Sequence, residues 1–200
     1  MDTFDAINQR RSVKHYDPQH RLTEDEITRL MQAAILSPTS FNMQNWRFVL
    51  VTDGELRKQI RAAAFDQAQV SDASLLIVMT ADLLAWKKDP ERYWRDAPEE
   101  VRSAMVNMML PFHEGNDQLQ RDEAIRSSGI AAQTIMLAAK AMGYDSCPMI
   151  GFEPDKVAKL INLPADHLIV MLIVVGKPAK PARPRAGQLP LEEVVIRDRF

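Results

Sequence analysis

Residues 168–175 read LIVMLIVV, the longest uninterrupted apolar run of the chain. A strand with one wet face would alternate apolar and polar residues, so this run predicts a strand that is covered on both faces. Residues 74–80, SLLIVMT, follow the same pattern. The two runs predict the buried centre of a sheet, and neither is long enough to cross a bilayer.

The segments around these runs predict helices and one further strand. Thr23 and Glu26 form a capping box, and apolar residues repeat behind it at helical spacing until Pro38. Residues 46–52 are apolar and β-branched and predict a strand. Residues 129–142 are apolar on nearly all sides, which predicts a helix at the centre of the fold or in a subunit interface. Because strands and helices do not alternate regularly, the pattern favours an α+β fold.

Two segments depart from this core pattern. Residues 82–120 mix aromatic side chains with many charges, which predicts an excursion that covers another part of the molecule. Residues 177–200 carry four prolines, too many for a helix or a central strand, and predict an extended arm along a surface. The tail at residues 191–196 is predicted to add as a strand to a sheet edge.

The composition limits the class of protein. The 200 residues are 46% apolar and 26% charged, which predicts one globular domain spanning residues 1–200. The net charge of −2 gives no overall field that would attract nucleic acid. Residues 8–21 nevertheless carry four Lys/Arg and one acid, and residues 177–188 carry four and none. Each basic window is either a solvated surface or a binding site for an anion.

The sequence argues against several kinds of functional site. With seven glycines and neither a Gly-x-Gly-x-x-Gly nor a phosphate loop, a Rossmann-type site is not expected. The lone Cys147 excludes an internal disulfide and is read as a packed thiol. Four scattered histidines are read as surface residues, with no metal site: His15, His20, His113 and His167. Three adjacent acidic pairs are read as solvated faces: Glu99-Glu100, Asp122-Glu123 and Glu192-Glu193. With no secretory signal at its start, the chain is expected to be a soluble cytoplasmic protein without a membrane partner.

Three segments remain as candidates for a functional site. Residues 10–14, RRSVK, cluster donors that suit a phosphate, and in an extended chain Ser12 and Lys14 share a face. Residues 37–46, SPTSFNMQNW, form a polar loop, for which a capped turn is the plainer reading. Residues 147–152, CPMIGF, predict a short loop whose backbone amides approach a ligand, or else only a tight connection.

Together with Arg183-Pro184-Arg185, these segments, in this order and spacing, resemble the nitroreductase family of FMN-dependent oxidoreductases, and most closely its compact bacterial members. The resemblance implies that Arg10 and Ser12 bind the phosphate and ribityl chain of FMN, with the two arm arginines completing the clamp. It implies no catalytic side chain, because the chemistry takes place at N5 of FMN. The cofactor-binding residues that it implies are Arg10, Arg11, Ser12, Lys14, Pro38, Thr39, Ser40, Asn42, Gln69, Pro148, Met149, Ile150, Gly151, Arg183 and Arg185.

The resemblance also implies finer roles, and the sequence departs from the family pattern around Asp66 and at Asn45, which stands where the family usually has proline. Lys14 is expected at the N1/O2 edge of the flavin and the Ile150 amide at N5. Gln69 stands where the family often has a residue that contacts the ring, and Asp66 stands where it often has Asn. Because a carboxylate there would add negative charge beside a ring that becomes anionic, Asp66 is left out of the predicted site.

The implied fold has a central, mostly antiparallel sheet flanked by helices, in a homodimer that exchanges its C-terminal strand. The implied reaction is ping-pong hydride transfer from NADH or NADPH through FMN to a small-molecule oxidant of the nitroaromatic or quinone type. The expected substrate contacts are Trp86, Tyr93, Trp94 and Phe112. Two alternatives stay open: a reductase for one metabolic aldehyde or enal, and a flavin-binding protein without turnover.

Overall fold

A four-stranded antiparallel sheet lies at the centre of the computed structural model, which describes residues 1–200. The strands are β1 (Trp46–Leu50), β2 (Leu75–Asp82), β3 (Asp145–Met149) and β4 (His167–Gly176). They are hydrogen-bonded in the order β1-β2-β4-β3. The two apolar runs therefore form the two central strands, as their sequences predict.

Helices surround this sheet, and the fold is α+β, as expected. The α-helices are α1 (Thr3–Gln9), α2 (Glu24–Ala34), α3 (Gly54–Ala63), α4 (Gln69–Asp72), α5 (Glu99–His113), α6 (Asp117–Ala141), α7 (Pro154–Leu160) and α8 (Leu191–Val194). Three short 3-10 helices span Ser40–Asn42, Ala85–Lys87 and Pro90–Trp94. None of the helices is both long enough and apolar enough to span a membrane.

The sheet separates two apolar cores. On one face, Leu76 and Val78 of β2 pack with Ile60 of α3 and Val157 of α7. On the other face, Ile77 packs in a cluster with residues of α2 and α6. Successive side chains of β2 thus enter opposite cores, so every residue of the strand has to be apolar or paired. Each large side chain buried here contributes about 1.5–3 kcal/mol.

Helix α2 begins as the capping box predicts. The Thr23 hydroxyl accepts from the Glu26 amide at 3.2 Å, and the Glu26 carboxylate accepts from the Thr23 amide at 2.8 Å. The same carboxylate accepts from the Tyr144 hydroxyl at 2.6 Å. The cap therefore also ties α2 to the segment between α6 and β3.

Strand β3 was not expected, because residues 147–149 were read as part of a loop. Pro148 is tolerated here because β3 is an edge strand that pairs with β4 on one side only. Its other side meets an isolated parallel bridge from Ser12 to Ser146, and the Val13 amide donates to the Ser146 carbonyl at 3.2 Å. The predicted loop is therefore shorter and begins at Ile150.

The predicted excursion contains the two later 3-10 helices, α5 and the first turn of α6. It has a small core of its own, in which Met43 packs with Trp86, Tyr93 and Met109. The helix predicted at residues 129–142 is longer than expected, because α6 begins at Asp117 with an Asn116 cap. Only its first turn belongs to the excursion, and Ala131, Ile135 and Ala139 of its second half pack in the main core.

The arm after Gly176 has no helix or strand up to residue 190, as predicted. It lies along residues 15–17, where the Ala179 amide donates to the His15 carbonyl at 2.9 Å. The strand predicted at residues 191–196 is not formed in this chain. No sheet edge hydrogen-bonds to these residues, and the Val195 amide instead closes a helical turn on Leu191 at 2.8 Å. Strand exchange between subunits stays a prediction.

Candidate functional site

The two basic windows of the sequence meet in one groove. Residues 10–15 form one wall and residues 180–188 the other, around a cavity of about 540 Å³. We call this cavity the basic groove. Six of its lining residues are cationic, and none is acidic; the cations are Arg10, Arg11, Lys14, Lys180, Arg183 and Arg185. The structure therefore favours a shared anion-binding site over a solvated surface as the explanation of the two basic windows.

The local backbone conformation orients residues 10–15, the N-terminal wall, toward the groove. Helix α1 ends at Gln9, and Arg10 has extended ψ, so the chain leaves the helix as a strand-like segment. Val13 is buried, while Ser12 and Lys14 on either side of it are exposed. Alternation along an extended chain therefore places Ser12 and Lys14 on one open face, as predicted.

The arginines of the basic groove are held by the backbone rather than by carboxylates. Arg185 Nη2 donates to the Ile7 carbonyl at 2.9 Å, and Arg11 Nη1 donates to the Asn8 carbonyl at 2.6 Å. Arg10 Nη1 is buried and has no hydrogen-bond partner. Like charges brought together without an acid repel one another, and a guanidinium binds a phosphate or a carboxylate best. The groove is thus built to receive an anion.

The loop after β3 is held by an amide that sequence reasoning missed. Gln67 Nε2 donates to the Gly151 carbonyl at 2.8 Å and to the Ala64 carbonyl at 3.1 Å. Gln69, which is buried, donates to Gln67 Oε1 at 3.0 Å. Ile150 is 81% exposed at the tip of this loop. The two glutamines thus connect two segments that were predicted separately as flavin contacts.

Other predicted residues of this region occupy different settings. Met149 is buried and Pro148 partly buried within β3, so neither side chain is fully open to a ligand. Asp66 is exposed, and its carboxylate binds Arg61 Nε at 2.7 Å. Arg61 therefore compensates the charge for which Asp66 was left out of the predicted site.

The 37–46 loop has an unusual backbone. Phe41, Asn42 and Gln44 have φ angles of 49°, 53° and 45°, in the left-handed region that non-glycine residues rarely adopt. Such strain costs of order 1–3 kcal/mol per residue and persists only where surrounding contacts impose it. Two of these contacts are the Gln44 amide donating to Thr39 Oγ1 at 3.0 Å and Asn42 Nδ2 donating to the Tyr93 carbonyl at 2.6 Å.

Glu123 of α6 supplies a third contact to this loop. Its carboxylate accepts from the Ser40 amide at 3.2 Å, from the Ser127 hydroxyl at 2.6 Å and from Arg126 Nη1 at 2.6 Å. Burial raises the pKa of Glu123, but these hydrogen bonds outweigh it and hold the pKa below its usual value. The solvated-face reading is correct for exposed Asp122 and wrong for Glu123, which is 7% exposed.

The four aromatic residues expected to contact substrate separate into two groups. Trp86 and Tyr93 are buried, and the Tyr93 hydroxyl donates to the Ala85 carbonyl at 3.0 Å. Their side chains form the excursion's own core, and their contact with a substrate stays a prediction. Trp94 is partly buried, whereas Phe112 is 53% exposed with its ring 5.6 Å from that of Phe41. Phe41 was not predicted.

The surface reading of the histidines is wrong for His113, which is completely buried. Its ring stacks on Trp86 at 6.1 Å, and its Nδ1 lies 2.8 Å from the Met109 carbonyl. The neighbouring aromatic rings provide favourable contacts for the imidazole ring, which explains why a polar residue is tolerated here. His15 is exposed, and His20 and His167 are partly buried.

His167 belongs to a charged cluster at one end of the sheet. Asp82 at the end of β2 pairs with His167 at the start of β4, and Asp166 precedes it. These three groups are close enough to hold a cation. Lys88 Nζ already lies 2.9 Å from both Asp82 oxygens and 2.6 Å from Asp166 Oδ2. The ammonium group thus supplies the positive charge, and the cluster fastens the excursion to the sheet.

The basic groove and the 37–46 loop lie at opposite edges of the sheet. Ser12 lies against β3, whereas the loop leads directly into β1. These strands are separated by β2 and β4, and three strand spacings amount to roughly 14 Å. The residues predicted to bind one flavin are therefore not brought together within one chain.

Comparisons with known proteins agree with this architecture. The profile of the nitroreductase family matches residues 7–177. Protein DrgA of Synechocystis sp. is 56% identical over 98% of this chain and 95% of its own length. An NADH dehydrogenase of Thermus thermophilus is 32% identical over 98% of this chain and 96% of its own.

Solved structures share the fold over nearly the whole chain. One from Exiguobacterium sibiricum, described as a "putative nitroreductase in complex with FMN", superposes with a TM-score of 0.91 at 29% identity. It covers 98% of this chain and 97% of its own. Since the family profile, the relatives and the fold all agree, the chain belongs to the nitroreductase family.

Proposed function

We propose that this oxidoreductase binds FMN and uses it to pass a hydride from NADH or NADPH to nitroaromatic or quinone-type acceptors. The observation that carries the proposal is the basic groove, where six cations converge without a carboxylate. The solved relative with FMN and the relatives named for their nicotinamide donors support the choice of cofactor and donor. Because those donors are made and recycled in the cytoplasm, the proposal assigns the enzyme to that compartment.

The groove fits the phosphate end of FMN. A phosphate carries a charge close to −2 and accepts bidentate hydrogen bonds, which matches guanidinium groups. Arg10 has a buried nitrogen without a partner, and Arg183 and Arg185 face it from the arm. In the proposal these three arginines hold the phosphate, and the exposed Ser12 hydroxyl binds the ribityl chain.

The flavin ring would then extend toward Lys14 and the loop after β3. FMN, when bound, supplies the hydride-accepting chemistry at its N5 atom. The backbone at Ile150 and Gly151 would present an amide donor to that edge, and Gln67 fixes the loop by its bond to the Gly151 carbonyl. A cation at Lys14 would stabilise negative charge on the ring, so no acid or base side chain is required for hydride transfer.

The second half of the flavin site would come from a second subunit. Pro38, Thr39, Ser40 and Asn42 lie on the 37–46 loop, at the sheet edge opposite the groove. A homodimer with a twofold axis would bring the loop of each chain to the groove of the other. Exchange of the C-terminal segments between the subunits would strengthen the dimer. Exposed apolar side chains support this association, since Phe4 is 76% and Leu36 83% exposed.

Planar acceptors suit the aromatic surface beside this loop. Phe41 is partly buried and Phe112 half exposed, and their tilted rings lie 5.6 Å apart, which joins the 37–46 loop to the excursion. Nitroaromatic compounds and quinones are flat and would pack on such rings. The proposal therefore keeps Phe112 as a substrate contact, adds Phe41, and leaves Trp86 and Tyr93 to packing.

Purification followed by anaerobic titration tests the proposal. The protein as purified should show flavin absorbance, or gain it when FMN is added, and NADH or NADPH should bleach it. A quinone or nitroaromatic compound added next should restore the colour. Protein that refuses FMN would contradict the proposal, and bound FMN that neither donor bleaches would indicate a flavin-binding protein without turnover.

A further inference from the structure

A second cavity lies between the 37–46 loop and the 3-10 helix at Pro90–Trp94. Its volume is about 490 Å³, within the range of small-molecule sites. We call it the arginine cavity, because three of its eight lining residues are arginines and one is acidic. The lining residues are Asn42, Gln44, Trp46, Arg47, Arg92, Tyr93, Arg95 and Asp96.

The arginines of this cavity have unused hydrogen-bonding capacity. Arg47 uses Nη1 on the Gln44 and Trp46 carbonyls, at 2.7 and 2.8 Å, which orients its guanidinium. Arg92 makes no ion pair and lies over the Tyr93 ring, 5.1 Å from its centroid. Stacking of this kind orients a guanidinium while leaving its N–H groups free to bind a ligand.

The single acid does not neutralise the cavity. Asp96 approaches only Arg95, at 3.7 Å, and both side chains are largely exposed. Such a pair is weak, because water screens it on all sides. Arg47 comes within 3.8 Å of Asp82, but that carboxylate is already engaged by Lys88. The cavity therefore keeps a positive charge that an anionic ligand would satisfy.

The position of the cavity relates it to the proposed flavin site. Asn42 lines the cavity and also belongs to the loop that is proposed to reach the partner's FMN. A ligand seated in the cavity would thus lie next to that flavin. Two anions are expected to approach the flavin in turn, the nicotinamide donor and some oxidants, and only the donor always carries phosphate groups.

We propose that the arginine cavity binds a phosphate group of the nicotinamide donor, and that it favours NADPH over NADH where that group is the 2′-phosphate. The proposal rests on the proposed function, because the donor must first be a substrate. Two phosphate sources are possible: the 2′-phosphate, which only NADPH has, and the pyrophosphate that both donors share. Each is a multiply charged anion suited to Arg92 and Arg95.

Calorimetric binding of adenosine 2′,5′-bisphosphate to the FMN-loaded protein tests the site without turnover. We expect the double variant Arg92→Ala/Arg95→Ala to weaken binding about tenfold or more, as expected when charge-assisted hydrogen bonds are lost. Arg29→Ala is the matched control, since Arg29 is exposed on α2 outside the cavity, and binding should not change. Equal affinity in all three proteins would overturn the proposal.

Steady-state kinetics with each donor then identify the phosphate. If Arg92→Ala/Arg95→Ala raises KM relative to the wild-type protein for NADPH alone, the cavity binds the 2′-phosphate. If the double variant raises KM equally for both donors, the cavity binds the pyrophosphate. If neither KM changes while FMN stays bound and is still bleached, the arginine cavity has no such role and the proposed function stands. If the wild-type protein binds no FMN, the proposed function itself fails.

Discussion

The basic groove and the 37–46 loop are two halves of one proposed flavin site, and different forces build them. The groove consists of cationic side chains that face each other across open space, meet no carboxylate and are held by backbone carbonyls. The loop consists of strained backbone, with Phe41 and Asn42 in left-handed conformations that buried contacts maintain. Charge is the basis of the affinity proposed for the first region, and tertiary packing creates the shape of the second.

This difference predicts different responses to substitution. Changing the groove should weaken binding of the anion and leave folding intact, because its cations meet no carboxylate and repel one another. Changing the supports of the loop should lower stability, because those groups are buried and shared between distant segments. Four substitutions, taken from the largest expected effect to the smallest, test this separation.

Removing two cations of the groove should have the largest effect. Arg10→Ala/Arg185→Ala deletes two guanidiniums proposed to bind phosphate, at about 1.5–3 kcal/mol each, so FMN affinity should fall about 100-fold or more. Fluorescence titration of FMN measures the change, and thermal unfolding of the apoprotein should be nearly unaltered. Full flavin occupancy in the double variant would show that the phosphate is bound elsewhere.

Removing the carboxylate under the loop should lower stability instead. Glu123→Ala leaves the Ser40 amide and the Ser127 hydroxyl without their acceptor, at a cost of about 1–3 kcal/mol in the free energy of unfolding. Its neighbour Asp122 is exposed, so Asp122→Ala is the matched control and should change stability by less than about 0.5 kcal/mol. Urea denaturation measures the free energy of unfolding of both variants. Similar losses in the two variants would refute the distinction between buried Glu123 and exposed Asp122.

Gln67 links the two kinds of region, and its removal should have a moderate effect. Gln67→Ala frees the Gly151 carbonyl and the amide of Gln69, so the loop at Ile150 loses its orientation. Loss of about 1 kcal/mol predicts about fivefold weaker FMN binding and a shifted flavin spectrum. Gln59→Ala, on the exposed side of α3, should do neither. An unchanged spectrum in Gln67→Ala would show that the loop is rigid without it.

The smallest effect is expected in the charged cluster that fastens the excursion. Hydrogen bonds from Lys88 and His167 lower the pKa of Asp166 to about 2. The unfolded chain has a pKa of about 3.9 for this group, so it binds the proton more tightly than the folded chain. The stabilisation of the folded state by ionised Asp166 is complete above pH ~4 and is lost as the pH falls to about 2.

Asp166→Asn should therefore flatten the stability profile between those pH values, by less than about 1 kcal/mol because the carboxylate is partly exposed. Asp155→Asn, an exposed residue of α7, should leave the profile unchanged. Chemical denaturation at a series of pH values measures both. A wild-type slope that persists in Asp166→Asn would assign the acid sensitivity to other carboxylates.

The same difference explains what the sequence could predict. The central strands were predictable because the runs at 74–80 and 168–175 are local patterns. The groove was predictable because unpaired charge is visible in the sequence once two windows are compared. Strand β3 was missed because it is short, contains Pro148 and is recognisable only by its pairing with β4.

The supports of the loop could not be predicted in the same way. Ser40 and Glu123 are 83 residues apart, and nothing in the pair Asp122-Glu123 distinguishes the buried acid from the exposed one. His113 packs against Phe41 and Trp86, rings from two distant segments, so its environment exists only in the folded chain. Gln67 acts across a similar separation on Gly151. Residues whose role depends on a distant partner leave no periodic or compositional signal.

In the proposed dimer, one flavin is held by the groove of one subunit and the loop of the other. Complementation tests it most directly, with Arg10→Ala/Arg185→Ala as the groove variant and Ser40→Ala/Asn42→Gly as the loop variant. Glycine is chosen for position 42 because Asn42 has a φ of 53°, which glycine tolerates. Each variant alone should purify with little FMN.

The measurement is the FMN content of mixed dimers formed by refolding or co-expressing the two variants. A mixed dimer has one site with an intact groove and an intact loop, so the account predicts one tightly bound FMN per mixed dimer. If each chain held its own flavin, both chains of the mixture would be defective. Mixed dimers that stay free of flavin would contradict the shared site.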